Sequence, residues 1–244
     1  MTDTMKRVHI LPVVVAVLFA AACGGGPTAV DTPAKVRFFN GVWNTQDKIG
    51  FTTNNQFAAG SALAYLQWTQ TCSTLDAGNT SFGIGLANAS GTALNSNTFV
   101  TLDNQTITDG GNYSVLAGGN VVHPSVVLLD NRFSGTLGAN QAAVRFVNLA
   151  GGSEGPLDVL KGTAGSGPTT VVQTNMGFRD ATPYSIVTSG SNAYTILYTN
   201  NNQPLISGND ATLNLQAGTV NTFVISRLSP PNGNFKLINV PGCS

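Results

Sequence analysis

Charge is what this 244-residue chain has least of. Asp, Glu, Lys and Arg make up 9% of it, against roughly a quarter in an ordinary soluble domain. Eleven basic and eleven acidic residues cancel. With no basic stripe and no acidic block, nucleic acid is excluded as a partner and a cation buffer is not indicated. Histidine occurs twice, at His9 and His123. That is too few for a His-type metal centre, and no His follows any candidate nucleophile late in the chain. Long apolar runs are also missing: the one example, residues 10–22, is broken by Pro12 and is too short to span a bilayer. No segment beyond residue 30 carries a capped helical period. What fills the space is 42% hydrophobic residues, enough for a core. Asn, Thr, Ser, Gln and Gly supply the polarity, and they favour turns and strands.

The apolar run follows Lys6, Arg7 and His9 and ends Phe19-Ala20-Ala21-Ala22-Cys23. This pattern resembles a lipobox, where bacteria attach diacylglycerol to a cysteine and cut before it. The likeness covers four residues and their upstream context, with Ala20 standing where Leu is preferred. It implies a signal peptide over residues 1–22 and an acylated Cys23; an ordinary signal peptide cut elsewhere is the alternative. Translation starts at Met1 or at Met5. Gly24-Gly25-Gly26-Pro27 opens a polar stretch, so residues 23–34 read as a flexible tether. More than one acyl chain gives stable attachment, making the membrane a partner through lipid. The implied address is the cell envelope; Gly24 in place of Asp favours the outer membrane of a Gram-negative cell.

Of the three cysteines, Cys23 is assigned to lipid. Cys72 and Cys243 remain, an even pair in an oxidising compartment, and are expected to form a disulfide; two unpaired buried thiols are the other reading. The mature chain also repeats. Val36-Arg37-Phe38-Phe39-Asn40 returns as Val144-Arg145-Phe146-Val147-Asn148. Ser81-Phe82-Gly83-Ile84 aligns with Ala193-Tyr194-Thr195-Ile196, Asn112-Tyr113-Ser114-Val115 with Thr222-Phe223-Val224-Ile225, and Val126-Val127-Leu128-Leu129 with Phe235-Lys236-Leu237-Ile238. The offsets of 108, 112, 110 and 109 keep order and spacing, as two copies of one unit would. Each copy reads as about seven short strands between turn clusters such as Asp109-Gly110-Gly111-Asn112. The expected architecture is all-β: two tandem immunoglobulin-like β-sandwiches, over residues 35–131 and 143–241, joined by a link at 132–142. A Cys72–Cys243 bond would then staple one to the other.

These opening strands resemble the bacterial domain of unknown function numbered 4397, whose first strand reads Val-Arg-hydrophobic-hydrophobic-Asn ahead of a loop and an Asp-containing strand. Here the motifs lead to Asp47-Lys48-Ile49-Gly50-Phe51 and to Gly155-Pro156-Leu157-Asp158-Val159, the second copy being the closer match. The resemblance covers most of residues 35–240. It implies an immunoglobulin-like sandwich and no catalytic residues.

Motifs with chemistry are weak. Gly151-Gly152-Ser153-Glu154-Gly155 matches a nucleophile elbow, but Pro156 and a strand follow where a helix belongs. Residues 162–167 have P-loop spacing, with Pro168 where the Lys should stand. His123, before Pro124, reads as a polar loop residue. Two of the ten mature carboxylates could meet as a glycosidase pair, and Asp109 with Asn112 could hold a calcium ion, but turn formation explains most of them. Trp43, Tyr65 and Trp68 are the candidate contact residues, for a sugar or a protein, against a packing role. No catalytic residue, metal or cofactor is implied. The expected function is a non-enzymatic, lipid-anchored structural or interaction module of the cell envelope, with another envelope protein or a glycan as partner. Carbohydrate binding through the exposed aromatics is the alternative, and a hydrolase is a third reading.

Overall fold

Both copies of the five-residue motif build a central strand with two buried faces. In the computed structural model, β1 (Ala34–Asn40) and β10 (Gln141–Asn148) are buried at nearly every position. The structure describes residues 32–95, 98–151, 155–162, 170–200, 203–228 and 234–243; the expected signal peptide, Cys23 and most of the tether lie outside these. Alternation along β1 sends Val36 and Phe38 to one apolar cluster and Phe39 to another, and β10 does the same with Val144, Phe146 and Val147. A strand that is apolar on both sides belongs inside a stack of sheets.

Each central strand pairs in parallel with a strand from the end of its own copy. β8 (Asn112–Gly119) lies beside β1, with Lys35 opposite Asn112. β17 (Val220–Arg227) lies beside β10, with Ala143 opposite Val220. This register corrects the sequence alignment of Asn112 with Thr222 by two residues. A slip of two leaves every side chain on its original face, so hydrophobic patterning cannot detect it.

The first half runs through β2 (Ile49–Thr53), β3 (Gln56–Phe57), β4 (Gln67–Trp68), β5 (Ser73–Leu75), β6 (Gly78–Leu86), β7 (Val100–Ile107) and β9 (Pro124–Asp130). One sheet has the order β4-β1-β8-β9, with β5 also on β1; it faces a second of order β3-β2-β6-β7. The second half adds β11 (Leu157–Lys161), β12 (Thr170–Met176), β13 (Ser185–Thr188), β14 (Gly190–Tyr198), β15 (Pro204–Ile206), β16 (Thr212–Leu215) and β18 (Phe235–Pro241). Its sheets run β13-β10-β17-β18 and β12-β11-β14-β15, with β16 on β14. Nine strands per half among the described residues replace the expected seven, because segments of two or three residues inside the polar loops also pair. β6 and β14 share one burial pattern along nine residues, with Phe82 and Tyr194 inward at matching places.

Four sheets therefore enclose three apolar layers. Phe38, Phe51, Phe82 and Val115 fill the layer of the first half. Phe146, Tyr194, Ile196 and Phe223 fill that of the second. Between the halves, Phe39, Leu116 and Leu129 meet Val147, Leu149, Val224, Ile238 and Val240. The chain is thus all-β with two similar sandwich-like modules that share a buried seam.

The motif asparagine is explained by hydrogen bonds that recur in both copies. Asn40 is fully buried; its amide donates to Leu63 O at 2.9 Å and its Oδ1 accepts from Val42 N at 2.9 Å. Asn148 is fully buried too, donating to Met176 O and accepting from Ala150 N, both at 3.0 Å. The hydroxyls of Thr69 and Thr182 accept from Phe38 N and Phe146 N, and the amides of these two threonines donate back to Phe38 O and Phe146 O. Each pairing satisfies a buried backbone group that would otherwise cost about 1–3 kcal/mol. The copies differ at several buried hydroxyls, Tyr194 among them. Tyr194 Oη has no partner among the described residues, and burial pushes its pKa up to about 12; Phe82 holds the equivalent place. Tyr194→Phe should therefore leave stability unchanged or raise it by about 1 kcal/mol, read from the urea midpoint. A loss of more than that would mean the hydroxyl has a partner.

Candidate functional site

Two arginines, one from each motif, end in the seam rather than in solvent. Arg145 is 6% exposed and lies over the Tyr184 ring, 4.6 Å from its centroid. It donates to Thr222 Oγ1 (2.9 Å), to Asp130 O (2.7 Å) and to Asn131 Oδ1. Two of these acceptors come from the end of the first half, so Arg145 ties the halves through neutral oxygens. Burial pushes its pKa down, while Tyr184 and Asp130 act the other way. Arg37 is 9% exposed, and its Nη2 donates to Cys72 Sγ at 3.4 Å; burial pushes its pKa down as well.

Cys72 and Cys243 form a disulfide, with Cα atoms 6.0 Å apart and a sequence separation of 171. Cys72 lies between β4 and β5, and Cys243 follows β18, so the bond joins the two inner sheets. The Asn112 side chain grips the same end: Cys243 N donates to its Oδ1 at 3.1 Å, and its Nδ2 donates to Cys243 O.

The three candidate aromatics all lie near this seam, each half-buried. The Arg227 guanidinium lies 5.3 Å from the Trp43 ring centroid. Tyr65 Oη donates to Arg227 O at 2.6 Å, and burial raises its pKa. Trp68 packs against the seam cluster together with Leu66. Trp43 and Tyr65 thus spend their polar or aromatic faces on the second half. Trp68 has a further surface, on a groove of about 600 Å³ walled by Leu63, Leu66, Gln67 and Gln70.

The second half shows what the fold itself requires at this groove. Phe39 pairs with Trp68, and the equivalent Val147 pairs with Ala181. Leu66 and Arg179 both adopt positive φ, 61° and 77°, and their amides donate to Asn40 O and Asn148 O. Backbone and threonine are kept, while Trp68 becomes Ala181 and Gln67 becomes Asp180. The sequence reading missed this equivalence because threonine is the one residue shared by the two short segments.

Other candidates stand apart. His123 is exposed and Asp109 sits in a turn; Asp76 and Asp109 line one cleft of about 340 Å³ with Pro33 and Ala77. Asn112, paired with Asp109 as a calcium candidate, has its amide engaged with Cys243 and Asn131. Among the described residues no three His, Cys, Asp or Glu side chains come together. Ser153 and most of residues 162–167 lie outside the described residues.

A family model described as "Domain of unknown function (DUF4397)" matches residues 34–160, just over half of the chain. The match contains both copies of the opening motif. No curated protein matches. Among solved structures, one similar chain is from Bacteroides uniformis and carries a provisional assignment to cell adhesion. It is 12% identical over 88% of this chain and 98% of its own, with a TM-score of 0.26. Another is the C-terminally truncated tip fimbrial protein Mfa3 from Porphyromonas gingivalis, 11% identical over 87% and 99%, with a TM-score of 0.24.

Replacing Cys72 and Cys243 together by Ser should lower the unfolding free energy by about 2–5 kcal/mol, because a long closed loop restricts the unfolded chain. Urea titration of the two forms measures it; equal midpoints would show that the bond adds nothing to stability.

Proposed function

The chain belongs to the DUF4397 family, and from that premise we propose that it is a non-enzymatic lipoprotein of the cell envelope that serves as a tethered structural or interaction module. The observation that supports this reading is the order of parts: Lys6 and Arg7, an apolar run over residues 10–22, Cys23, a short Gly- and Pro-containing stretch, and then a strand-built body opening at Ala34. Cys23 takes the lipid, and the outer membrane of a Gram-negative cell is the destination that Gly24 favours. The two immunoglobulin-like sandwiches occupy residues 35–131 and 143–241, with 132–142 between them. The body suits a mechanical or presenting role: its two halves share one apolar layer and a disulfide, so a load on one reaches the other. Its loops hang on a rigid frame, where they can vary without disturbing the core.

The groove beside Trp68 favours a second reading, carbohydrate binding. Among the described residues its walls carry an indole ring and amide side chains and no ionisable group, which also weighs against a hydrolase at that place.

The lipid anchor is tested by Cys23→Ala in cells fed labelled palmitate. The label should vanish from the protein, and the protein should move from the membrane to the soluble envelope fraction. Continued labelling would reject acylation at Cys23.

A further inference from the structure

The groove at Trp68 is where this chain departs from what its own fold demands. The duplicated half serves as an internal control. It keeps the same backbone turn, the same positive φ and the same threonine, yet closes over Ala181 instead of a tryptophan. Trp68 is therefore not needed to make the module. Trp68 packs one side of its indole on the seam and leaves another on the groove, where an apolar surface can still be covered.

The surroundings of that ring narrow what would cover it. Gln67, Gln70 and Thr71 are exposed around it, and the floor is Leu63 and Leu66. Each glutamine offers two N–H donors and a carbonyl acceptor, and the threonine hydroxyl both donates and accepts. Among the described residues no charge lines the groove, so an anionic chain or a charged peptide would find no counter-ion from them. A peptide strand added at the sheet edge is also poorly served. β4 is two residues long, and the left-handed turn at Leu66 ends it at once. A flat apolar face ringed by neutral donors and acceptors matches a hexose ring, which has an apolar C–H face and a rim of hydroxyls. The volume of about 600 Å³ holds two to three such rings.

We propose that this groove binds a neutral glycan chain, with Trp68 as the stacking platform and Gln67 and Gln70 as partners for sugar hydroxyls. The proposal rests on the second reading above and makes it specific to one side chain. Trp43 and Tyr65 take no part, because both are committed to Arg227.

The test uses the mature chain and three neutral polysaccharides (laminarin, mannan and xyloglucan), with alginate as the anionic control. In native gels, at least one neutral polysaccharide should retard the protein, and alginate should not. Trp43 and Trp68 are the two tryptophans of the chain, so Trp43→Phe leaves Trp68 as the emitter. The hexasaccharide of the retarding polymer should shift that emission to the blue and saturate at roughly sub-millimolar concentration. Gln70→Ala should weaken binding about tenfold. Trp68→Ala should abolish it with the thermal transition still cooperative, as the Ala181 copy indicates. Should Trp68→Ala fail to fold, Gln70→Ala decides. Three results would overturn the proposal: no retardation by any neutral polymer, retardation by alginate alone, or binding that survives both substitutions. None of them touches the envelope reading, which palmitate labelling of Cys23 tests separately.

Discussion

The packing of the two inner sheets against each other is the constraint from which the rest of this molecule follows. Eight buried apolar side chains from both halves form that layer. Burying each is worth about 1.5–3 kcal/mol, so neither inner sheet can face water alone without losing a large share of its stability. The approach is close enough to dictate residue size. A Cβ on Gly118 of the first half would come within 2.9 Å of Leu149 Cδ2 of the second. Polar groups at the margins then have to find partners inside the protein. Arg145 reaches acceptors from the first half, and Asn131 links it to Asn112 and the Cys72–Cys243 bond at the same margin.

Duplication separates residues that make the module from residues that make this protein. Asn40 with Asn148, and Thr69 with Thr182, carry the same bonds at the same places and belong to the module. Tyr194 in place of Phe82 and Trp68 in place of Ala181 are departures, and the two have different consequences. The tyrosine hides a hydroxyl that has no hydrogen-bond partner among the described residues. The tryptophan adds a ring at the edge of an uncharged groove.

Much of the fold was legible in the sequence because its signals are local or repeated. Turn clusters such as Asp109-Gly110-Gly111 separate the strands as expected, with Gly110 at φ 62°. The recurrence of Val-Arg-Phe-x-Asn marks two copies within the sequence itself. The seam was not legible. Apolar residues on both faces of β1 indicate a buried strand, and nothing local says that the second face meets the other copy rather than a loop. The same gap hid the role of the aromatics. Trp43 and Tyr65 look like contact residues until Arg227, more than 160 positions later, is placed over one and against the other. Neither the threonine pair nor the Trp68 and Ala181 contrast could be found from a single shared residue.

The central claim is that the shared layer makes the two halves one cooperative body, with the disulfide as a supplement to it. Differential scanning calorimetry of the mature chain with the Cys72–Cys243 bond reduced tests this directly. The account predicts a single transition whose calorimetric and van't Hoff enthalpies agree. Two resolved transitions, each with about half of the total enthalpy, would contradict it and make the seam a contact between independently folding domains.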